Sequence, residues 1–305
     1  MRERLCNGVV PTGVAAAFAA VALWSTNALA AKFALAELGV VQVLALQFGA
    51  ATASLATLRV ARSARVGETV ARASLAWPDV LGGVIVGVVG LAGTVFLQYL
   101  AFATAPIFEA NVLAYGWPLF AVLWAALAYR SRQALAGVPL AMVGFAGVAL
   151  ILGSGTDLGS AGGATVGYVA ALASAVCMTF YTVASGRSRV PTDTFLLPAT
   201  GFGMVFALAL CVGGFAPWAW VGRGAWVASV YAGVGPMVGG FALWRVAMSG
   251  GGAKRLAPLG YATALLSTAL LLLFGETFTP STLTGALLIL VCSIGVLMVD
   301  RKRCD

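Results

Sequence analysis

The chain has 305 residues, of which 61% are hydrophobic and 9% charged, and it contains no histidine. A soluble domain carries about one-quarter charged residues, so lipid is the expected solvent, with room for at most about a dozen spans of roughly 20 residues. The net charge of +8 comes from short basic clusters between apolar stretches, not from one face or run, which argues against a nucleic-acid partner.

The start, MRERLCNG followed by an Ala-rich run, has the flavour of a secretory signal. The run is long and many spans follow it, so it reads as a permanent first helix. Ten apolar stretches can be marked: residues 12–36, 40–60, 77–103, 106–129, 135–152, 163–185, 194–213, 225–249, 255–275 and 281–299. Connections are short except 61–76, so no extramembrane domain fits.

With strict alternation and a cytoplasmic N-terminus, the inner segments hold Arg2, Arg4, Arg59, Arg62, Arg65, Arg72, Arg130, Arg132, Arg187, Arg189, Lys254, Arg255, Arg301, Lys302 and Arg303. The outer loops hold only Arg223. This is a strong positive-inside bias, and one missed or extra helix would scramble it. The expectation is an all-α integral membrane protein of ten transmembrane helices, multi-pass in a bacterial inner membrane, with both termini cytoplasmic. Its expected partners are the lipid bilayer and a small-molecule substrate. No obligate protein partner is evident, and a monomer is compatible with the sequence.

Polar and aromatic groups at mid-span cost several kcal/mol unless they find partners or line water, so they mark a candidate path. Taken in chain order, the first helix offers Trp24 and Asn27, three apart on one face, and the second Gln47. The third offers Phe96 and Tyr99. In the fourth, Asn111, Tyr115 and Pro118 share a face, with Trp117 beside them. The sixth adds Met178 and Tyr181, and the eighth Phe241 and Trp244. Together they describe an aromatic-walled cavity with a few amides and hydroxyls, suited to a planar or apolar substrate with a small polar head. Each also has a plainer role, as an interfacial belt residue or as hydrogen-bonding glue between helices.

Pro118 and the Gly235-Pro236 pair are candidate hinges, because proline removes a backbone donor and glycine permits bending. The ladder Gly87, Gly90, Gly93 reads as close helix packing. Lys32 and Glu109 both fall roughly 13 Å from the midplane on the outer side at 1.5 Å per residue, making a candidate outer ion pair, with snorkelling as the alternative. Arg245 is expected to snorkel towards the cytoplasm. No Asp or Glu falls in the central third of any span, which argues for an uncoupled facilitator over proton-driven transport. Cys6, Cys177, Cys211, Cys292 and Cys304 are scattered with no CxxC, so no metal site, disulfide framework or cofactor is expected. No catalytic constellation is visible, which argues against an enzyme.

The order of events repeats. Gly13 and Trp24-Ser-Thr-Asn27 are set against Gly167 and Met178-Thr-Phe-Tyr181 at an offset of 154, and Pro118 falls on Thr263 at an offset of 145. Ala/Gly-rich membrane helices also resemble one another by composition alone. Five helices is an odd number, so a duplicated unit enters the membrane from the opposite side the second time. Residues 1–153 and 154–305 are thus expected to form two inverted five-helix repeats of one membrane domain.

Leu23-Trp24-Ser25-Thr26-Asn27 and Leu273-Phe274-Gly275-Glu276 resemble motifs of the drug/metabolite transporter superfamily, and within it the EamA-type exporters. The first half departs from the second motif, reading Ala128-Tyr129-Arg130-Ser131. The stretch from Phe108 to Phe120 is similar to the fourth helix of the aromatic amino-acid exporters of that superfamily. The resemblance implies export of small amphipathic metabolites, aromatic amino acids among them, by alternating access. A nucleotide-sugar or sugar-phosphate carrier would instead place Lys or Arg deep in the path. Efflux of planar cations such as viologens would use aromatic walls and a mid-depth carboxylate, for which Glu109 is the only candidate.

Overall fold

The computed structural model describes residues 11–66, 77–129, 162–187, 190–215, 222–249, 259–277 and 279–301, with isolated residues between 139 and 150. The expected fifth span, most of the long connection after the second, and the basic residues at both chain ends lie largely outside the described residues. Among the described residues every regular element is helical. In a bilayer that is required, since a helix satisfies its own backbone where no water can.

Among the described residues six helices are long and apolar enough to cross a membrane: Thr12–Leu35, Val40–Ala61, Trp77–Thr104, Ala164–Gly186, Asp193–Gly214 and Arg223–Met248. They match the first, second, third, sixth, seventh and eighth expected spans, and that numbering is kept here. The ninth is the shorter helix Gly260–Leu273, and the tenth is Pro280–Arg301. Pro280 opens the last helix at the position where its missing N–H costs nothing. Gly275, at φ +85°, closes the ninth: its N–H bonds Leu272 O at 3.1 Å and the Glu276 N–H bonds Leu271 O at 3.1 Å, the paired bonds of a Schellman cap.

Several spans are interrupted near their middles. The first is broken at Thr26, between Pro11–Ser25 and Asn27–Leu35. The fourth is broken at Tyr115 and Gly116, between Ile107–Ala114 and Trp117–Tyr129. Pro118 is thus the second residue of a new helical segment, where its missing donor is tolerated, and the break precedes the expected hinge. The third span widens into a π-helix over Val86–Ala92 and the eighth over Gly233–Gly240, which contains Gly235 and Pro236. π-Turns of this kind gather at functional sites.

The spans pack mainly across the two halves of the chain. The third lies on the sixth and the eighth on the first; the second lies on the seventh. The π-helix of the third span meets the seventh, and that of the eighth meets the second. The fourth packs on the sixth and the ninth on the first. Replacing each span by the one five places away turns every contact of this set into another member of it.

Two glycines set the closest approaches. A Cβ added to Gly87 would overlap the Phe195 carbonyl of the seventh span, and one added to Gly233 would overlap the Gln47 carbonyl of the second. Both obstacles are backbone, so neither can rotate away. Gly87→Ala or Gly233→Ala should therefore cost about 1–3 kcal/mol, read as a lowered unfolding midpoint of the detergent-solubilised chain. Gly49→Ala meets nothing within 4 Å and should leave the midpoint unchanged or slightly raised.

Candidate functional site, a central uncharged cavity

The broken first and fourth spans, the third span just beyond its π-helix and the π-helix of the eighth meet around a cavity of about 30 Å³. Of the residues expected from sequence, Trp24, Asn27, Gln47, Tyr115, Trp117, Met178 and Phe241 line it, together with Pro236. Thr94, Val95, Gln98, Ala114, Ser174 and Met237 complete the wall and were not foreseen. Among the described residues, none that lines the cavity is ionisable near neutral pH. Gln98 satisfies the same mid-span rule that singled out Gln47. The hydroxyls of Thr94 and Ser174 carry no comparable signal within Ala/Gly-rich helices.

One side of the cavity is a net of amides and hydroxyls. Asn27 Nδ2 donates to Gln98 Oε1 at 3.3 Å and accepts the Tyr99 hydroxyl at Oδ1 at 3.2 Å. The Tyr115 hydroxyl donates to the Trp24 carbonyl at 2.7 Å, and Ser174 Oγ to the Thr94 carbonyl at 2.9 Å. Gln47 Nε2 reaches the Ala232 carbonyl, at the start of the π-helix that contains Pro236, at 3.5 Å. A carbonyl only accepts, so the amide nitrogen of Gln47 must face it. Gln47 Oε1 is then left buried without a partner, in a residue that lines the cavity.

The other side is aromatic. Trp24 meets Phe241 edge-on at 5.4 Å and Trp244 at 5.3 Å, Trp117 meets Trp244 edge-on at 5.7 Å, and Tyr181 meets Phe241 at 5.0 Å. Trp24 Nε1 also donates to the Pro236 carbonyl at 3.0 Å, tying the first span to the π-helix of the eighth.

Five expected residues lie behind the wall or away from it. Tyr99 supports Asn27 from the second layer. Phe96 stacks on Phe48 at 5.0 Å, between the second and third spans. Asn111 Oδ1 accepts from Ser267 Oγ at 3.1 Å, linking the fourth span to the ninth. The Tyr181 hydroxyl donates to the Phe241 carbonyl at 3.2 Å, and Trp244 Nε1 donates to Thr182 Oγ1 at 3.3 Å. Tyr115 and Asn111 thus share a helix in sequence but serve different neighbours.

A volume of 30 Å³ holds one or two waters, whereas sites for small-molecule ligands are ~300 Å³ or more. Any ligand larger than water needs the surrounding half-helices to part.

Lys32 has a different carboxylate from the one expected. It pairs with Glu276 Oε1 at 2.7 Å and donates to the Phe274 carbonyl at 2.9 Å. The left-handed turn at Gly275 presents both acceptors to the first span, which no estimate of depth could have revealed. Glu109 is instead buried in the first turn of the fourth span. Arg245 donates to Thr192 Oγ1 at 2.7 Å and to the Val190 carbonyl, and lies 4.6 Å over the Phe195 ring. It is tied to the connection between the sixth and seventh spans, where snorkelling was expected.

The sequence matches the EamA-like transporter family over residues 11–153 and 165–298. It is 35% identical over 293 residues to the Aromatic amino acid exporter YddG of Ancylobacter novellus, covering 94% of this chain and 96% of that one. A crystal structure of a protein is similar with a TM-score of 0.67 at 33% identity, over 96% of this chain and 98% of that one.

The corrected ion pair can be checked directly. With the side chains 30% and 25% exposed, a double-mutant cycle of Lys32→Ala and Glu276→Ala should give a coupling of about 0.2–1 kcal/mol. The cycle of Lys32→Ala with Glu109→Ala should give none. Thermal unfolding in detergent reads both.

Proposed function

The chain belongs to the EamA-like transporter family, and on that footing we propose that it exports aromatic amino acids across a bacterial inner membrane by alternating access. The observation that carries the reading is the two-sided cavity: neutral amides and hydroxyls face a wall of indole and phenyl rings. An amino acid at neutral pH has no net charge, an ammonium that seeks acceptors and a carboxylate that seeks donors. Gln47 Oε1 and the Pro236 carbonyl are acceptors of the first kind, and the Asn27 and Gln98 amides and the Tyr115 hydroxyl supply donors. Trp24, Trp117, Phe241, Met178 and Met237 offer a ring its surface. A phosphate-bearing sugar would need cations, and among the described residues no lysine or arginine lines the cavity. The similar exporter's printed name agrees with the aromatic reading.

The moving parts are two inverted five-helix repeats, residues 1–153 and 154–305. Three observations support this. The two family matches fall on either side of that boundary, the packing contacts exchange under a shift of five spans, and the third helix of each half carries a π-turn. With both termini cytoplasmic, the aromatic cluster lies on the inner side of the cavity and Lys32 with Glu276 on the outer. The breaks at Thr26 and Tyr115 let half-helices tilt without tearing whole spans from their neighbours. The uncharged lining offers no site for a coupling proton, so the carrier is a facilitator that runs its substrate down the gradient.

Counterflow of labelled phenylalanine and tryptophan in liposomes tests the reading. Both should be carried and alanine should not. Gln47→Leu, which removes an acceptor for the ammonium, should lower counterflow about tenfold. Equal uptake of all neutral amino acids would remove the aromatic assignment, and acceleration by a pH gradient alone would remove the facilitator.

A further inference from the structure

Resting on the reading above, we propose that the groove between the outer halves of the first and eighth spans is a second binding site for an aromatic zwitterion, distinct from the central cavity. The groove has a volume of about 630 Å³, within the range of small-molecule sites and far larger than the cavity. Its walls include Leu29, Phe33, Val227 and Tyr231, and the Phe33 and Tyr231 rings are exposed enough to receive a ligand ring, at 47% and 39%.

Its rim carries one charge of each sign. Glu37 and Arg223 both line the groove and both are exposed. Among the described residues no ion pair joins them. Glu37 Oε2 accepts the Gly222 N–H at 2.6 Å, which fixes the carboxylate next to the start of the helix bearing Arg223. Arg223 is also the one basic residue that the charge pattern assigns to the outer loops, against the bias of every other cluster. An acidic and a basic group side by side above an apolar groove match the ammonium and carboxylate of an amino acid whose ring lies below. A lipid with a single anionic headgroup would use Arg223 and be repelled by Glu37.

The inner end of the groove reaches the central site. Thr26 lines the groove and is the break in the first span, between cavity residues Trp24 and Asn27. Its hydroxyl lies 2.6 Å from that of Tyr231, across to the eighth span. One hydrogen bond and one turn of broken helix therefore separate the two sites, so a ligand released outward enters the groove first.

Equilibrium binding of labelled tryptophan to the full chain in phosphatidylcholine nanodiscs tests the inference. Two classes of site are expected. Glu37→Gln and Arg223→Gln should each weaken one class about tenfold, with Arg223→Lys restoring it, while Gln47→Leu weakens the other. Tryptamine and indole-3-propionate, each lacking one charge, should compete poorly for the class that depends on Glu37 and Arg223. Val227→Trp, which fills the groove without removing either charge, must abolish that same class. A single class that is lost in Gln47→Leu and untouched by the rim and Val227 variants overturns the groove site and leaves the proposed substrate standing. Absence of any binding overturns both. Loss of the class that depends on Glu37 and Arg223 on adding anionic phospholipid, with tryptamine and indole-3-propionate competing as well as tryptophan, overturns the groove's assignment to a zwitterion.

Discussion

A backbone carbonyl beside an irregular point of a helix has no water to turn to inside a bilayer, and here side chains from other spans donate to several such carbonyls. Gln47 of the second span reaches the Ala232 carbonyl, where the π-helix of the eighth begins, and Trp24 of the first donates to the Pro236 carbonyl within it. Tyr115 of the fourth serves Trp24 beside the break at Thr26. Tyr181 and Ser174 of the sixth serve Phe241 and Thr94, each near the end of a π-helix. The irregular points of the fold are thus also its cross-links. The residues that stabilise them converge on one place, and that place is the cavity.

In the proposed pair of repeats the frame recurs and its contents do not. Gly87 against Phe195 and Gly233 against Gln47 are matching close approaches, and Gly93 against Cys177 has its counterpart in Gly239 against Leu23. One place further on, the first half carries the Trp24 indole where the second, at the offset of 154, carries Met178. The indole brings Phe241, Trp244 and Trp117 into contact with it, while the opposite side is left to Gln98, Thr94 and Ser174. A proposed duplicated scaffold thereby acquires an oily pole and a polar pole, which a symmetrical filling could not provide.

The positions of the spans were legible because twenty consecutive apolar residues have few other interpretations in a chain this poor in charge. The interruptions were legible only where glycine and proline mark them. Gly235-Pro236 stood out, whereas Val86–Ala92 read as plain packing because its glycines also suit close contact. Thr26 gave no sign, since threonine inside a membrane helix normally bonds its own backbone, as Thr26 also does to Leu23. The cavity was partly readable through Trp24, Asn27, Gln47 and Tyr115, because burying them requires partners. Asn111 obeyed the same rule and found its partner in Ser267, away from the cavity. The partner of Lys32 depended on the shape of a turn more than two hundred residues away in the chain, which depth alone cannot supply.

The uncharged lining has an electrical consequence. Moving one elementary charge through a membrane potential of 100 mV involves about 2.3 kcal/mol, enough to bias a carrier's resting orientation almost completely. A cavity without formal charge, turning over empty or with a zwitterion inside, shifts almost none of that field. In the proposed alternating-access cycle the two orientations would keep the same balance in an energised cell and in a depolarised one. Voltage could then neither drive its outward flow nor oppose it.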